Sequence, residues 1–159
     1  MEFRKVDSSY WKHFKEHYYL DLNMPVGAGY FIGTVNGELV CHLAVACMFQ
    51  NNAYRATRLV VMPEWQGAGV GTKFLEWVCE YHKTGNGQCA KRLPTMFHTS
   101  HPQLIGYLKR SKKWVLKSQN LHGAKSRIKK TGTSIGKGKK FMGGHFRAVQ
   151  GFKYIGDKK

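Results

Sequence analysis

The sequence predicts an α/β (α+β) fold, a mixed and mostly antiparallel central sheet flanked by helices. Three observations carry that expectation. The 159 residues suffice for one domain with its own core and are short for two. Two extended runs meet at Asn36-Gly37, the dipeptide that best tolerates the positive φ angles of a type I′ hairpin turn. Further along, β-branched runs alternate with stretches of helical apolar period, giving the order α-β-β-β-α-β-α-β-loop-β.

At the start, Ser8 or Ser9 caps a helix of about three turns whose apolar face is Trp11, Phe14 and Tyr18. "AGYFIGTVNGELVCHLAVACMF" supplies the hairpin strands, with Cys41, Leu43, Val45 and Cys47 on one face and His42, Ala44 and Ala46 on the other. "YRATRLVVM" is a third long strand halted by Pro63, which has no N–H for a central ladder. From Gly71 to His82 the residues Phe74, Leu75, Trp77, Val78 and Tyr81 keep a helical period. "PTMFHT" is a short strand, "HPQLIGYLKR" a helix with Pro102 in its first turn, and "WVLKS" another strand. Residues 119 to 144, rich in Gly and Lys and without a periodic apolar face, read as a mobile basic loop inserted in the single domain spanning 1–159. "HFRAVQGFKYIG" is the last strand.

The junction "VVMPEWQGAGVGTKFLEWV" carries the chemistry. A strand, a proline and a glycine-rich turn open directly into a helix, so amide N–H groups at the helix N-terminus are left without intrahelical partners. With the positive end of the helix dipole they form an anion site, and glycine lets a phosphate approach the amides. A dinucleotide fingerprint is excluded because "GAGVGTKFLEWV" lacks the second gap of G-x-G-x-x-G, and a Walker loop because Thr72 precedes Lys73. Gln66, Gly69 and Gly71 do satisfy Q/R-x-x-G-x-G/A.

That pattern, placed after "RLVVMPEW", resembles the acyl-CoA loop of the GNAT N-acetyltransferases, and Ser100, Tyr107 and Trp114 in "FHTSHPQLIGYLKRSKKW" match a second stretch of that family. The resemblance is sharp from about 54 to 114 and weak in the basic loop. It implies a GNAT fold and acetyl-CoA, or another acyl-CoA, as acyl donor. It assigns Gln66, Gly67, Ala68, Gly69, Val70, Gly71 and Thr72 to the diphosphate, and Leu59, Val60, Val61 and Met62 to the pantetheine arm. An N–H near Val61 would meet the thioester oxygen, and Tyr107 would protonate the leaving thiolate or only pack on its helix. Ser100 either contacts pantetheine or caps the following helix. Glu64, His42 and His98 remain open as general bases. A weaker resemblance, to phage Mom-type DNA-modification proteins and to acetyltransferase domains fused to ABC-type ATPases, rests on "EHYYL", "TRLVV" and "FRAVQGFKYIG". It implies roles in modifying adenine for His17, Tyr18 and Arg58, against the simpler packing of Tyr18 beside Trp11 and Phe14.

Charge bears on the acceptor. Residues 1 to 80 hold 7 Lys+Arg against 8 Asp+Glu, whereas residues 81 to 156 hold 17 Lys+Arg and no acidic residue. A face of that kind attracts a polyanion, so nucleic acid, DNA or RNA, is the expected partner. Lys109, Arg110, Lys112, Lys113, Lys125, Arg127, Lys129, Lys130, Lys137, Lys139 and Lys140 are the expected phosphate contacts. Acetylation of a protein or small-molecule amine, and a catalytically inactive nucleic-acid-binding module, stand as alternatives. No window approaches ~18 uninterrupted apolar residues, and the four cysteines show no CxxC spacing, so the expectation is a soluble cytoplasmic protein with reduced thiols and neither a membrane nor a metal partner.

Overall fold

A computed structural model describes residues 1–19, 23–120 and 148–157. Seven strands, β1 (Glu2–Val6), β2 (Gly29–Val35), β3 (Glu38–Met48), β4 (Ala53–Val61), β5 (Thr95–Thr99), β6 (Trp114–Asn120) and β7 (Val149–Tyr154), form one sheet in the order β1-β2-β3-β4-β5-β7-β6. Within it β4 and β5 pair parallel and every other neighbouring pair is antiparallel. The parallel pair requires a crossover, and α1 (Val70–Lys83) supplies it. The second helix, α2 (Pro102–Arg110), connects β5 to β6.

The hairpin forms as its turn chemistry dictates, with Asn36 at φ 50° and Gly37 at φ 84°. Cys41, Leu43 and Val45 enter the main core together with Phe31, Phe74, Leu75, Val78 and Phe152, and Cys47 packs against its edge. Each fully buried large apolar side chain here contributes about 1.5–3 kcal/mol. Leu108 joins the same core, so α1 and α2 cover one face of the sheet. Phe14, Ile32 and Val60 form a smaller core on the other face.

Two expectations are corrected. The N-terminal segment is not an α-helix of three turns but two 3-10 turns, Ser8–His13 and Lys15–His17, and the three-residue spacing of Trp11 and Phe14 is served by a 3-10 turn as well as by an α-helix. Its cap is neither serine: Asp7 accepts from the Ser9 N–H at 2.7 Å. The strand ahead of it, β1, has no sequence precedent above, since "EFRKV" on the sheet edge is largely charged. The basic stretch at 119 to 144 falls almost wholly outside the described residues, β6 reaching Asn120. No helix among the described residues is long and apolar enough to cross a membrane.

Candidate active site

A single extra residue in β4 opens the site. His42 pairs with Val60 and Ala44 with Thr57, so β4 spends three steps where β3 spends two. Arg58 absorbs the bulge with φ 56°, a left-handed conformation that costs a non-glycine residue roughly 1–2 kcal/mol. The β4–β5 ladder then covers only Tyr54–Ala56 against Thr95–Phe97. Past that point the two strands line opposite walls of a cavity of about 640 Å³.

The cavity gathers most of the residues singled out from sequence: Leu59, Val60, Val61, Gln66, Gly67, Gly69, Val70, Gly71, Thr72, Ser100 and Tyr107, and also His17, Tyr18 and Arg58. Ala68 and Glu64 do not line it, and Glu64 is exposed on the 3-10 turn Pro63–Trp65. On the cavity side the main chain of β4 has no strand partner beyond Ala56. Met62 donates to the Val40 carbonyl at 2.8 Å, and since paired and unpaired residues alternate in an antiparallel ladder, the Val61 N–H points away from β3. The Val61 carbonyl, aimed the same way, accepts from Gln66 Nε2 at 2.9 Å, which ties the loop back to the strand.

At the N-terminus of α1 no side chain caps the helix, and its first α-helical bond runs from the Lys73 N–H to the Gly69 carbonyl at 3.1 Å. The amides of Val70, Gly71 and Thr72 therefore lack helical partners. Gly67 and Gly69 hold φ of 81° and 75°, whereas Gly71 has a different reason to be glycine: a Cβ there would meet Val61 Cγ2 at 2.9 Å. Uncapped amides, a side-chain-free turn and an unpaired strand edge on one cavity fit an acyl-CoA, with anion at the helix and amide arm along β4.

Tyr107 Oη donates to Glu76 Oε1 at 2.7 Å, and Trp114 Nε1 reaches the same oxygen at 3.3 Å. Burial first, then Glu76, pushes the Tyr107 hydroxyl up to about 12. Lys113 lies 3.5 Å from Glu76 and 3.3 Å from Asp157, so its ammonium is engaged by carboxylates. Glu76 was not legible as a functional residue: it sits between Leu75 and Trp77 with nothing in the period of α1 to mark it. Ser100 is not the helix cap, because His101 takes that position and accepts from the Leu104 N–H at 3.4 Å.

On the opposite wall, the Arg58 guanidinium stands 5.5 Å from the centre of the Tyr18 ring and donates to the Asn23 carbonyl at 2.6 Å and Thr57 Oγ1 at 3.1 Å. Burial raises the Tyr18 hydroxyl. His42 is excluded from the cavity, fully buried against Trp11 and Phe14 with ring centres at 5.1 and 5.3 Å, and burial drives it down to about 4. His98 does line the cavity. Lys109, Arg110 and Lys112 are exposed around the C-terminal end of α2, away from the cavity; Lys109 and Arg110 lie in its last turn, where cations also favour the helix dipole. Lys125, Arg127, Lys129, Lys130, Lys137, Lys139 and Lys140 lie outside the described residues.

The profile of the acetyltransferase (GNAT) family matches residues 2–110. Similar solved structures include a point variant of the spermidine N-acetyltransferase SpeG from Vibrio cholerae, with a TM-score of 0.67 at 10% identity over 98% of this chain and 95% of that one. A ribosomal-protein-alanine N-acetyltransferase from Escherichia coli gives 0.63 at 11% over 99% and 96%. The acetyl coenzyme A complex of a Bacillus anthracis protein assigned as a streptothricin acetyltransferase gives 0.60 at 12% over 98% and 99%. No curated protein sequence matches the chain.

Proposed function

The chain belongs to the acetyltransferase (GNAT) family, and from that premise we propose that it transfers an acetyl group from acetyl-CoA to an amine carried by nucleic acid, a base of DNA or RNA. The family supplies the reaction class and the donor: the protein is an acyltransferase that uses acetyl-CoA. When bound, that donor provides an activated acyl group. The amides of Val70 to Thr72 would hold its diphosphate and the β4 edge at Leu59 to Val61 its amide arm, Met62 lying outside the cavity with its N–H spent on Val40. The Val61 N–H, which points away from β3, would donate to the developing oxyanion. Tyr107 keeps its proton at every ordinary pH and, turned from Glu76, would give a hydrogen bond to a leaving sulfur.

The observation that carries the acceptor assignment is the charge map, 17 cations and no carboxylate from residue 81 to 156. A phosphate backbone gains from that field through counterion release, while a lysine-rich protein tail or a polyamine is repelled by it. The cavity wall agrees in kind. His17, Tyr18 and Arg58, the three positions of the Mom-type resemblance, lie on it together, and a base extruded from its helix would meet an aromatic ring and a guanidinium there. An exocyclic base amine is neutral at pH 7, so it needs no prior loss of an ammonium proton.

DNA and RNA incubated with the protein and acetyl-CoA, digested to nucleosides and weighed by mass spectrometry, should yield a nucleoside heavier by one acetyl group. Acetylation of spermidine or a peptide with nucleic acid untouched would leave the transferase standing and remove the nucleic-acid acceptor.

A further inference from the structure

Resting on the transfer reading above, we propose that His98 is the base that takes the proton shed by the acceptor nitrogen. The residue stands one position beyond the last β4–β5 pair, Ala56–Phe97, where the strands part and the cavity begins. Phe97 points into the core under α1, so His98, next along the strand, points to the opposite face, the side of the 3-10 turn that carries His17. Its Nδ1 is buried without a partner among the described residues. A buried polar atom in that condition costs about 1–3 kcal/mol unless a ligand or water completes it.

The ring has a made seat. Across the ladder His98 pairs with Gly151 of β7, and a Cβ on Gly151 would fall 2.7 Å from His98 Nε2 and onto Ser118 Oγ. Glycine at 151 is what leaves room for the imidazole against the neighbouring strand, where its Nδ1 makes no hydrogen bond among the described residues. The other candidates lack one requirement each. Glu64 is outside the cavity, His42 is walled off behind the bulge, and the Nδ1 of His101 is occupied by the Leu104 N–H.

Charged and titratable groups around the imidazole come from every side: Arg55 and Arg58 on β4, Lys153 on β7, and His17, Tyr18 and His101 on the cavity wall or rim. Burial and then Arg55 lower the pKa of His98, which keeps it neutral and able to accept near pH 7. The step balances. The acceptor nitrogen forms its bond to the acyl carbon, the C–S bond breaks, the nitrogen's proton passes to His98, and the sulfur takes a proton from Tyr107 or water, leaving amide and thiol.

The test compares wild type with His98→Gln, using a single-stranded oligonucleotide and spermidine as probe acceptors, and pairs kinetics with two measurements that need no turnover. The variant should lose about 100-fold in kcat or more, along with the acidic limb of kcat/KM. Its calorimetric affinity for acetyl-CoA should stay within about 2-fold of wild type. In His98→Gly, added imidazole should restore part of the rate. By NMR, the His98 Cε1–H of the free protein should titrate below the ordinary imidazole midpoint of about 6.5, and Gly151→Ala should move that midpoint. Undiminished kcat in His98→Gln, or loss of acetyl-CoA binding in that variant, overturns the assignment. A wild type giving no heat with acetyl-CoA instead removes the transfer reading, and this proposal falls with it.

Discussion

Tyr107 shows how a residue chosen for one property is governed by a neighbour that the pattern did not reveal. Its place seven residues after Ser100 was legible; the Glu76 carboxylate that accepts its hydrogen bond was not, because a contact between α1 and α2 has no local signature in sequence. Tyr107→Phe should lower kcat about 10- to 100-fold at unchanged acetyl-CoA affinity, and, with the hydroxyl near 12, no alkaline limb below pH 10 should belong to Tyr107. Turnover from pH 6 to 10 in wild type and variant checks this, and a limb near 9 that vanishes in Tyr107→Phe would contradict it. His42 carries a second consequence, for stability. Its folded pKa of about 4 lies below the unfolded value near 6.5, so the unfolded chain binds more protons between them. The stability is therefore whole above pH 6.5 and is lost as pH falls toward 4, by a total of about 3 kcal/mol. Urea unfolding at pH 7 and pH 4.5 should show that loss, reduced in His42→Phe.

At the scale of elements, the glycine turn and α1 were readable because each obeys a local rule, whereas β1 and the N-terminal turns do not. Glu2, Arg4 and Lys5 solvate an edge strand and hide its period, and the spacing of Trp11 and Phe14 suits a 3-10 turn as well as a helix. The bulge in β4 was equally hidden, since arginine is an unexpected residue at φ 56° and the extra position emerges only when β3 and β4 are aligned. The glycines themselves separate into two roles with different tests. Gly69→Val sets a β-branched residue at φ 75°, deforming the anion turn, and should abolish the heat of acetyl-CoA binding while sparing nucleic-acid binding. Gly71→Ala instead presses on Val61, so it should weaken acetyl-CoA binding about 10-fold or more through a displaced strand edge and lower the melting temperature as well. If both variants bound acetyl-CoA as wild type does, the diphosphate would have to lie elsewhere.

For the whole molecule, the division of charge is the property that sequence displays most openly and the sheet explains least. Residues before 81 balance to −1 and build β1 to β4 and most of α1, while the cations after 80 run from Lys83 at the end of α1 through Lys91 and Arg92 ahead of β5 to α2, its link to β6, the strands β6 and β7 and the sequence between those strands. Their placement along the chain was evident at once; which of them are free to meet a phosphate depends on partners remote in sequence, as Lys113 demonstrates by lying between Glu76 and Asp157. That distinction yields a quantitative expectation. Nucleic-acid affinity should fall steeply with salt, and replacing Lys109, Arg110 and Lys112 together by Gln should reduce the slope of log K against log[salt] by about 2 to 3 if each meets a phosphate. Lys113→Gln should scarcely change the slope but should perturb Tyr107 by releasing Glu76, which appears as altered kcat at constant nucleic-acid affinity. Fluorescence anisotropy with a labelled oligonucleotide from low to moderate salt measures both. A slope that is flat in wild type would mean the cations face solvent alone, and the acceptor would then have to be sought among uncharged or acidic amines.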